Sequence, residues 1–563
     1  MRALSLGPTK KRSKQITSFN MSYSVVWFKR DLRVHDNEAL FNALAHESGH
    51  ALEPVLCLYI LEPSYWRGAD TSKRQLDFLR ESLLDLARDL KSINLNLTLM
   101  TGEAVDVLAK LYDTCAFRGV FSNQETGNLL TFERDLKVKE WLRSLAVPWT
   151  EYRQHGVIRG LRYRSQWSVQ WDLLMHAPQL QIKSSMVDQE LQRSLHLLFP
   201  SERWPKADEW LQRVEPCPDR QLGGRAKALE IFSSFLNDRS GTYVGGISSP
   251  LKATSACSRL SPYLSHGCLS MREVVQATNA VIESGATRPY QSRGLHNFLS
   301  RLHWHCHFIQ KLESEPEIEW RNMNQGFTGL REDEWSAERF ERLMTAQTGW
   351  PLVDACVMML RQTGWLNFRM RAMLISVATY PLWLHWKPVG DWLATQFVDY
   401  EPGIHWSQMQ MQSGTTGINT TRVYNPIKQA MDHDPTGEFV RRWLPVLQRV
   451  PDEWIFEPWK MPVDVQANCG VIIGRDWPMP IVELAEATRV AKQRMHERRG
   501  ISSVKQLNSK VLDRHGSKAN RHSATKRKRS GITKDKTKDT TKDTKKDANT
   551  DLKKSDQQLT FDF

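Results

Sequence analysis

Apolar residues fall along this chain in two rhythms, and the change of rhythm divides it. Between 23 and 153 short apolar runs alternate with longer amphipathic stretches. YSVVWF (23–28), PVLCLYI (54–60), LTLM (97–100), GVFS (119–122) and VPWTEYR (147–153) predict strands. Between them, residues 71–93 place Leu76, Leu79, Leu83, Leu86 and Leu90 at helical spacing. Asp36 suits the N-cap of a first helix, with Glu38 in its first turn. Strand and helix alternating in this way predict an α/β domain over 22–153, built on a doubly wound parallel sheet. No GxGxxG follows the first strand, so ordinary dinucleotide binding is not supported there.

Residues 154–220 are rich in Pro and Trp with little periodicity, which predicts a long interdomain connector. From 221 to about 500 helical periodicity takes over, predicting an all-α second domain. The rhythm stops at 501. The stretch 501–563 carries TKD-type repeats (533–547), no Glu, and few large apolar residues before QLTFDF (558–563). It is expected to be a disordered basic tail. KRKR at 526–529 suits an address, a DNA-grazing patch or a merely solvated run. QLTFDF loosely resembles peptides that bind bacterial sliding clamps, so the tail is a candidate tether for a replication clamp or a signalling partner.

Charge and cysteine usage narrow the class. The formal net charge is +14, but it comes from the basic extension 1–21 and the tail; the body between 22 and 500 is formally neutral. A DNA-binding face there must arise from uneven placement of charge. The eight cysteines are scattered with no CxxC pair, the usage of a reduced, intracellular protein, cytoplasmic or nucleoid, or nuclear in a eukaryote. The first twenty residues lack a long apolar core, which argues against secretion, and no apolar run reaches membrane-spanning length. His303, His305 and His307 would spread over three faces of a helix, whereas helical metal ligands favour i, i+4; no metal is expected.

Residues 351–429 pack Trp365, Arg369, Arg371, Trp383, Trp386, Asp399, Glu401 and His405 into one helical stretch. Together with CSRLSPYL (257–264) and VVWFKRDLRVHDNEAL (25–40), it resembles the photolyase/cryptochrome family of FAD-binding, blue-light-driven flavoproteins. The resemblance covers roughly 22–455. It implies that Tyr243, Cys257, Ser258, Arg259, Leu260 and Ser261 wrap the FAD diphosphate, a role that hydroxyls and N–H groups at a helix start suit. It implies that Arg371 pairs with Asp399 beside the flavin ring, and that Trp365, Tyr400 and Glu401 belong to the same pocket. His405 falls where relatives place the residue nearest the flavin N5, with a packing histidine as the alternative. An antenna chromophore of unknown identity is implied for the sheet domain, against the alternative that the sheet is structural support. Some relatives hold an iron–sulfur cluster through a CxxC element; that spacing is missing here, and no cluster is expected.

Family members pass electrons to the flavin along a row of tryptophans. Trp386 and Trp335 match its middle and outer members, whereas the inner position is Met409, a poor hopping site. Trp406 and Trp383 are alternative carriers. On the substrate side Trp304 aligns with the tryptophan that stacks on a cyclobutane dimer, with Arg301, His305 and Arg369 nearby. Arg301 replaces the glutamate of dimer photolyases, and Leu366, Asn367 and Phe368 occupy the stretch where (6-4) enzymes carry histidines. The resemblance therefore implies light-driven repair of pyrimidine dimers in DNA, with a blue-light photoreceptor lacking repair as the alternative. A nucleic-acid-binding flavoprotein without photochemistry is a third reading, should Met409 break the electron route.

Overall fold

The computed structural model describes residues 22–45, 53–418 and 422–516. Five parallel strands form the N-terminal sheet: β1 (Ser24–Phe28), β2 (Val55–Leu61), β3 (Leu97–Thr101), β4 (Val120–Asn123) and β5 (Trp149–Tyr152). Their order, β3-β2-β1-β4-β5, reverses direction between β1 and β4, which makes the sheet doubly wound. Alternation along β1 serves both faces. Val25 and Trp27 enter one apolar layer, while Val26 and Phe28 enter a second that continues into Phe235, Phe298 and Leu302 of the helical half. One core layer thus joins the two domains.

Two side chains in the first turn of the Lys73–Ser92 helix strengthen that junction. Arg74 donates to the carbonyls of Leu360 (3.1 Å) and Gln396 (2.9 Å). Gln75 accepts from Ser72 N (3.0 Å) and donates to the carbonyls of Ala394 (2.8 Å) and Phe397 (3.0 Å). Leu360 lies near the end of the Pro351–Thr363 helix, while Ala394, Gln396 and Phe397 end the Trp386–Gln396 helix and begin the turn after it, where a helix leaves carbonyls short of partners. The sheet domain therefore fixes the loop that carries Asp399.

Three expectations need correction. Asp36 does not cap the first helix, Glu38–Leu44; Asn37 does, accepting from Leu40 N at 3.0 Å. Asp36 has φ +52° and turns its carboxylate toward the helical half, accepting from Ser270 Oγ (2.6 Å) and Arg272 Nε (3.0 Å). The connector 154–220 contains two helices, Trp167–His176 and Gln189–Leu198; Trp167, Trp171 and Met175 bury one face of the first, a stripe hidden by its aromatic composition. The tail does not begin at 501. Ser502–His515 is a helix that buries Val504, Val511 and His515, and its Asn508 Oδ1 and Val504 carbonyl accept from Asn324 Nδ2. Val504, Leu507 and Val511 recur at helical spacing, a short stripe masked by the polar, basic composition around it. KRKR, the TKD repeats and QLTFDF lie outside the described residues, as does the extension 1–21.

The helical domain is built around the Pro289–Ser314 helix and its crossing with Pro402–Ser413. Gly403 permits that crossing, because a Cβ there would lie 2.6 Å from Ile309 Cα. Gly364, at φ +65°, ends the Pro351–Thr363 helix and turns the chain into Trp365. No helix among the described residues is long and apolar enough to cross a membrane.

Candidate functional site

Four segments enclose a cavity of about 1550 Å³, counting space open to solvent. Tyr243, Cys257 and Ser261 come from the segment before the Met271–Glu283 helix, and Arg301, Trp304 and His305 from the long helix. Trp365, Arg369 and Arg371 flank the start of the Phe368–Thr379 helix; Asp399, Tyr400, Glu401 and His405 follow the loop held by Arg74 and Gln75. Residues predicted from widely separated motifs thus line one cavity.

Three do not. Leu260 is fully buried in the layer joined to the sheet. Ser258 gives its carbonyl to Arg239 (3.3 Å). Arg259 has φ +63°, which swings its guanidinium 3.9 Å from the centre of the Trp365 ring and onto Gln221 Oε1 (3.0 and 2.8 Å). Its contact with the cavity runs through Trp365, which it holds by cation–π stacking. A positive φ at a non-glycine residue leaves no mark in the sequence.

Arg371 Nη2 donates to Asp399 Oδ2 at 2.8 Å, and its Nε donates to the Leu366 carbonyl at 2.7 Å. Asp399 Oδ1 is buried and has no protein partner. Asn367 Oδ1, His305 Nδ1 and Gln408 Nε2, all on cavity-lining residues, are likewise buried without one. Leaving such an atom unsatisfied costs roughly 1–3 kcal/mol, so several in one cavity mark where a polar ligand belongs. Asn367 and Gln408 were not among the expected site residues. Asn367 is the N-cap residue of the Phe368–Thr379 helix and Gln408 is one of three glutamines in the Pro402–Ser413 helix, so neither stands out in the sequence.

The electrostatics suit a ligand that changes charge. Burial drives His405 down to about 3, so its ring is neutral, and Nε2 lies 2.9 Å from the Gly390 carbonyl, which fixes the proton on Nε2. Burial raises the Glu401 carboxyl to about 7 although Arg30 Nη2 lies only 3.6 Å away. His305 is held neutral by burial at about 4. On the same helix His303 packs against Trp167 and Trp171, and the His307 ring receives Arg164. Among the described residues no group of three or more His, Cys, Asp or Glu side chains is placed to hold a metal, and all eight cysteines are free.

Trp386 and Trp335 lie outside the cavity lining. Trp386 is buried and donates Nε1–H to Asn322 Oδ1 at 2.7 Å; Trp335 is 37 % exposed beside Phe340. Met409 is fully buried, and a Cβ at Gly390 would meet both its Cγ (3.3 Å) and the Trp406 ring (2.5 Å), so glycine there makes room for both.

The sheet domain offers a second concavity of about 680 Å³, counting open space, lined by Trp27, Lys29, Tyr59, Tyr65, Glu125 and Arg134 among others. It adjoins the point where the strand order reverses, the usual ligand position of such sheets. Its charges satisfy one another. Arg134 pairs with Glu62 (2.9 Å), Glu125 (2.6 Å) and Asp135 (2.7 Å), and Lys29 with Asp135 (3.1 Å) and Glu151 (3.7 Å).

Known proteins bear out the class this geometry suggests. The profile described as the FAD binding domain of DNA photolyase matches residues 298–497, and the DNA photolyase profile matches 24–161. The chain is 29% identical to a deoxyribodipyrimidine photo-lyase of Agrobacterium fabrum, covering 82% of this chain and 95% of that one. It is 26% identical to Cryptochrome-1 of Aedes aegypti, over 88% and 94%. A crystal structure of a bacterial class III photolyase from Agrobacterium tumefaciens superposes with a TM-score of 0.72 at 25% identity, covering 87% of this chain and all of that one. A parallel-sheet domain followed by a helical FAD-binding domain defines the class. The chain belongs to the photolyase/cryptochrome family, whose members named here include both repair enzymes and cryptochromes.

Proposed function

We propose that the chain holds FAD in the helical cavity and uses blue light to repair pyrimidine dimers in DNA. The observation that carries this reading is the set of buried polar atoms without protein partners on the lining of one cavity, Asp399 Oδ1 of the Arg371–Asp399 pair among them. Acceptors at Asp399 Oδ1 and Asn367 Oδ1 and a donor at Gln408 Nε2 suit the edge of a flavin, which presents both kinds of group. Bound flavin supplies a light-excited one-electron donor; the protein supplies position and field. Arg371, paired with Asp399, keeps a cation beside a ring that gains charge on reduction, and His405 adds no second charge.

Trp304 is half-buried in the cavity wall, edge-on to His307 (4.8 Å), and offers a stacking surface for a base extruded from the duplex. Arg301 lies beside the Tyr243 hydroxyl, to which it hydrogen-bonds. From there its guanidinium suits a phosphate or a dimer that has taken up an electron, although it cannot act as a proton-sharing carboxyl. That substitution favours a second reading, a blue-light photoreceptor without repair activity.

A single cyclobutane dimer in an oligonucleotide, incubated with chemically reduced protein in blue light and in darkness, separates the two. Light-dependent restoration of the bases supports repair. A flavin-loaded, photoreducible protein that restores nothing supports the photoreceptor. An antenna chromophore would sit in the sheet crevice, held by Trp27, Tyr59 and Tyr65 rather than by polar atoms in need of a partner.

A further inference from the structure

Met409 stands in the helix Pro402–Ser413, where an electron carrier would be expected, yet one turn earlier lies Trp406, with an unusual pair of partners. Its Nε1–H donates to the Tyr400 hydroxyl at 3.1 Å, and that hydroxyl donates to Asp70 Oδ2 at 2.8 Å. All three side chains are buried: Trp406 is 1 % exposed, Tyr400 5 % and Asp70 7 %. Tyr400 lines the helical cavity, and the Trp406 ring sits edge-on to that of His405, which also lines it, at 4.8 Å. Asp70 comes from the sheet domain, so the relay spans the domain junction.

We propose that Trp406, Tyr400 and Asp70 form a proton-coupled electron donor to a photoexcited flavin in its oxidised state, the step that would precede its use as a donor, resting on the reading of the cavity given above. One electron leaves Trp406 for the excited flavin. Tyr400 returns one electron to Trp406, and its phenolic proton crosses the 2.8 Å bond to the Asp70 carboxylate. The indole ends unchanged. Tyr400 is left as a neutral phenoxyl radical, Asp70 holds the proton, and the flavin holds the electron.

Two neighbours set the direction. Lys387 Nζ, paired with Asp391 at 2.5 Å, lies 4.2 Å from the centre of the Trp406 ring, close enough that the carboxylate does not fully neutralise it there. An ammonium there stabilises the neutral, electron-rich indole and repels a positive charge left on it. Trp386, 6.0 Å from Trp406 between ring centres, is the other possible source of an electron. Its Nε1–H ends on the amide oxygen of Asn322, which cannot take a proton at neutral pH, so oxidised Trp386 would keep its charge. Oxidation of Tyr400 ends neutral because a carboxylate waits at its hydroxyl.

The test is electron paramagnetic resonance of the flavin-loaded full chain after a blue-light flash, with flavin content measured for every protein. Wild type should give a tyrosyl signal whose formation slows in heavy water. Tyr400→Phe should lose it and leave a tryptophanyl signal; Asp70→Asn, which keeps a hydrogen-bonding side chain but takes no proton, should do the same. Trp386→Phe should retain the tyrosyl signal. A tryptophanyl signal in wild type, or a tyrosyl signal that survives Tyr400→Phe in flavin-loaded protein, overturns the relay alone. Wild type without bound flavin overturns the cavity reading and the relay with it.

Discussion

The cavity of the helical half and the crevice of the sheet treat their buried polar groups in opposite ways. In the crevice Arg134 and Lys29 are shared among four carboxylates, and none of the lining residues leaves a buried side-chain nitrogen or oxygen without a partner. In the cavity such atoms remain on Asp399, Asn367, His305 and Gln408, each from a different part of its lining. Burying a polar group is tolerable when something pairs with it. A closed network needs nothing from outside, whereas an open one is complete only with a ligand. A similar location at the end of a sheet or beside a helix start says less about ligand binding than this difference does.

Breaking each network should therefore give different losses. Asp399→Ala strands Arg371 and removes the open acceptor; breaking a buried pair costs about 3–5 kcal/mol, and bound FAD should be lost as well. Urea unfolding and the flavin released from purified protein read the two effects. Arg134→Met leaves Glu62, Glu125 and Asp135 without their shared cation, and should lower stability by about 3 kcal/mol while leaving FAD content unchanged. Loss of flavin in that variant would erase the contrast.

Trp304→Ala should weaken binding of dimer-containing DNA by about 1–3 kcal/mol, as for a lost base–aromatic stack, and hardly touch undamaged duplex. Equal weakening of both, read by fluorescence anisotropy, would place Trp304 outside the lesion pocket. The smallest effect concerns pH. Glu401 is raised from an ordinary 4.5 to about 7 in the folded chain, so between those values the folded state keeps a proton the unfolded chain has released. Stability should fall as pH rises through that window. Glu401→Gln should flatten this part of the curve; an unchanged slope would assign it to other buried acids such as Asp354, also raised to about 7.

Much of the scaffold was legible because its signals are local. The five apolar runs became β1 to β5 within one or two residues, and the leucine stripe of 71–93 became the Lys73–Ser92 helix. Polar groups that act across the fold were not legible. Arg74 and Gln75 look like ordinary surface residues in sequence, and Asp36 like a helix cap, yet they tie the sheet to the helical half. The motifs pointed to many of the cavity's residues, but they gave no hint that Arg259 turns away through a positive φ. Nor could spacing reveal that Asp70 sits at the Tyr400 hydroxyl, since 330 residues separate them.

The most direct measurement is the flavin bound to the purified full chain, identified and counted after release, for wild type and Asp399→Ala side by side. The account predicts FAD at close to one per chain in wild type and little in the variant. Wild type without flavin, or a variant that holds as much FAD as wild type, would contradict it.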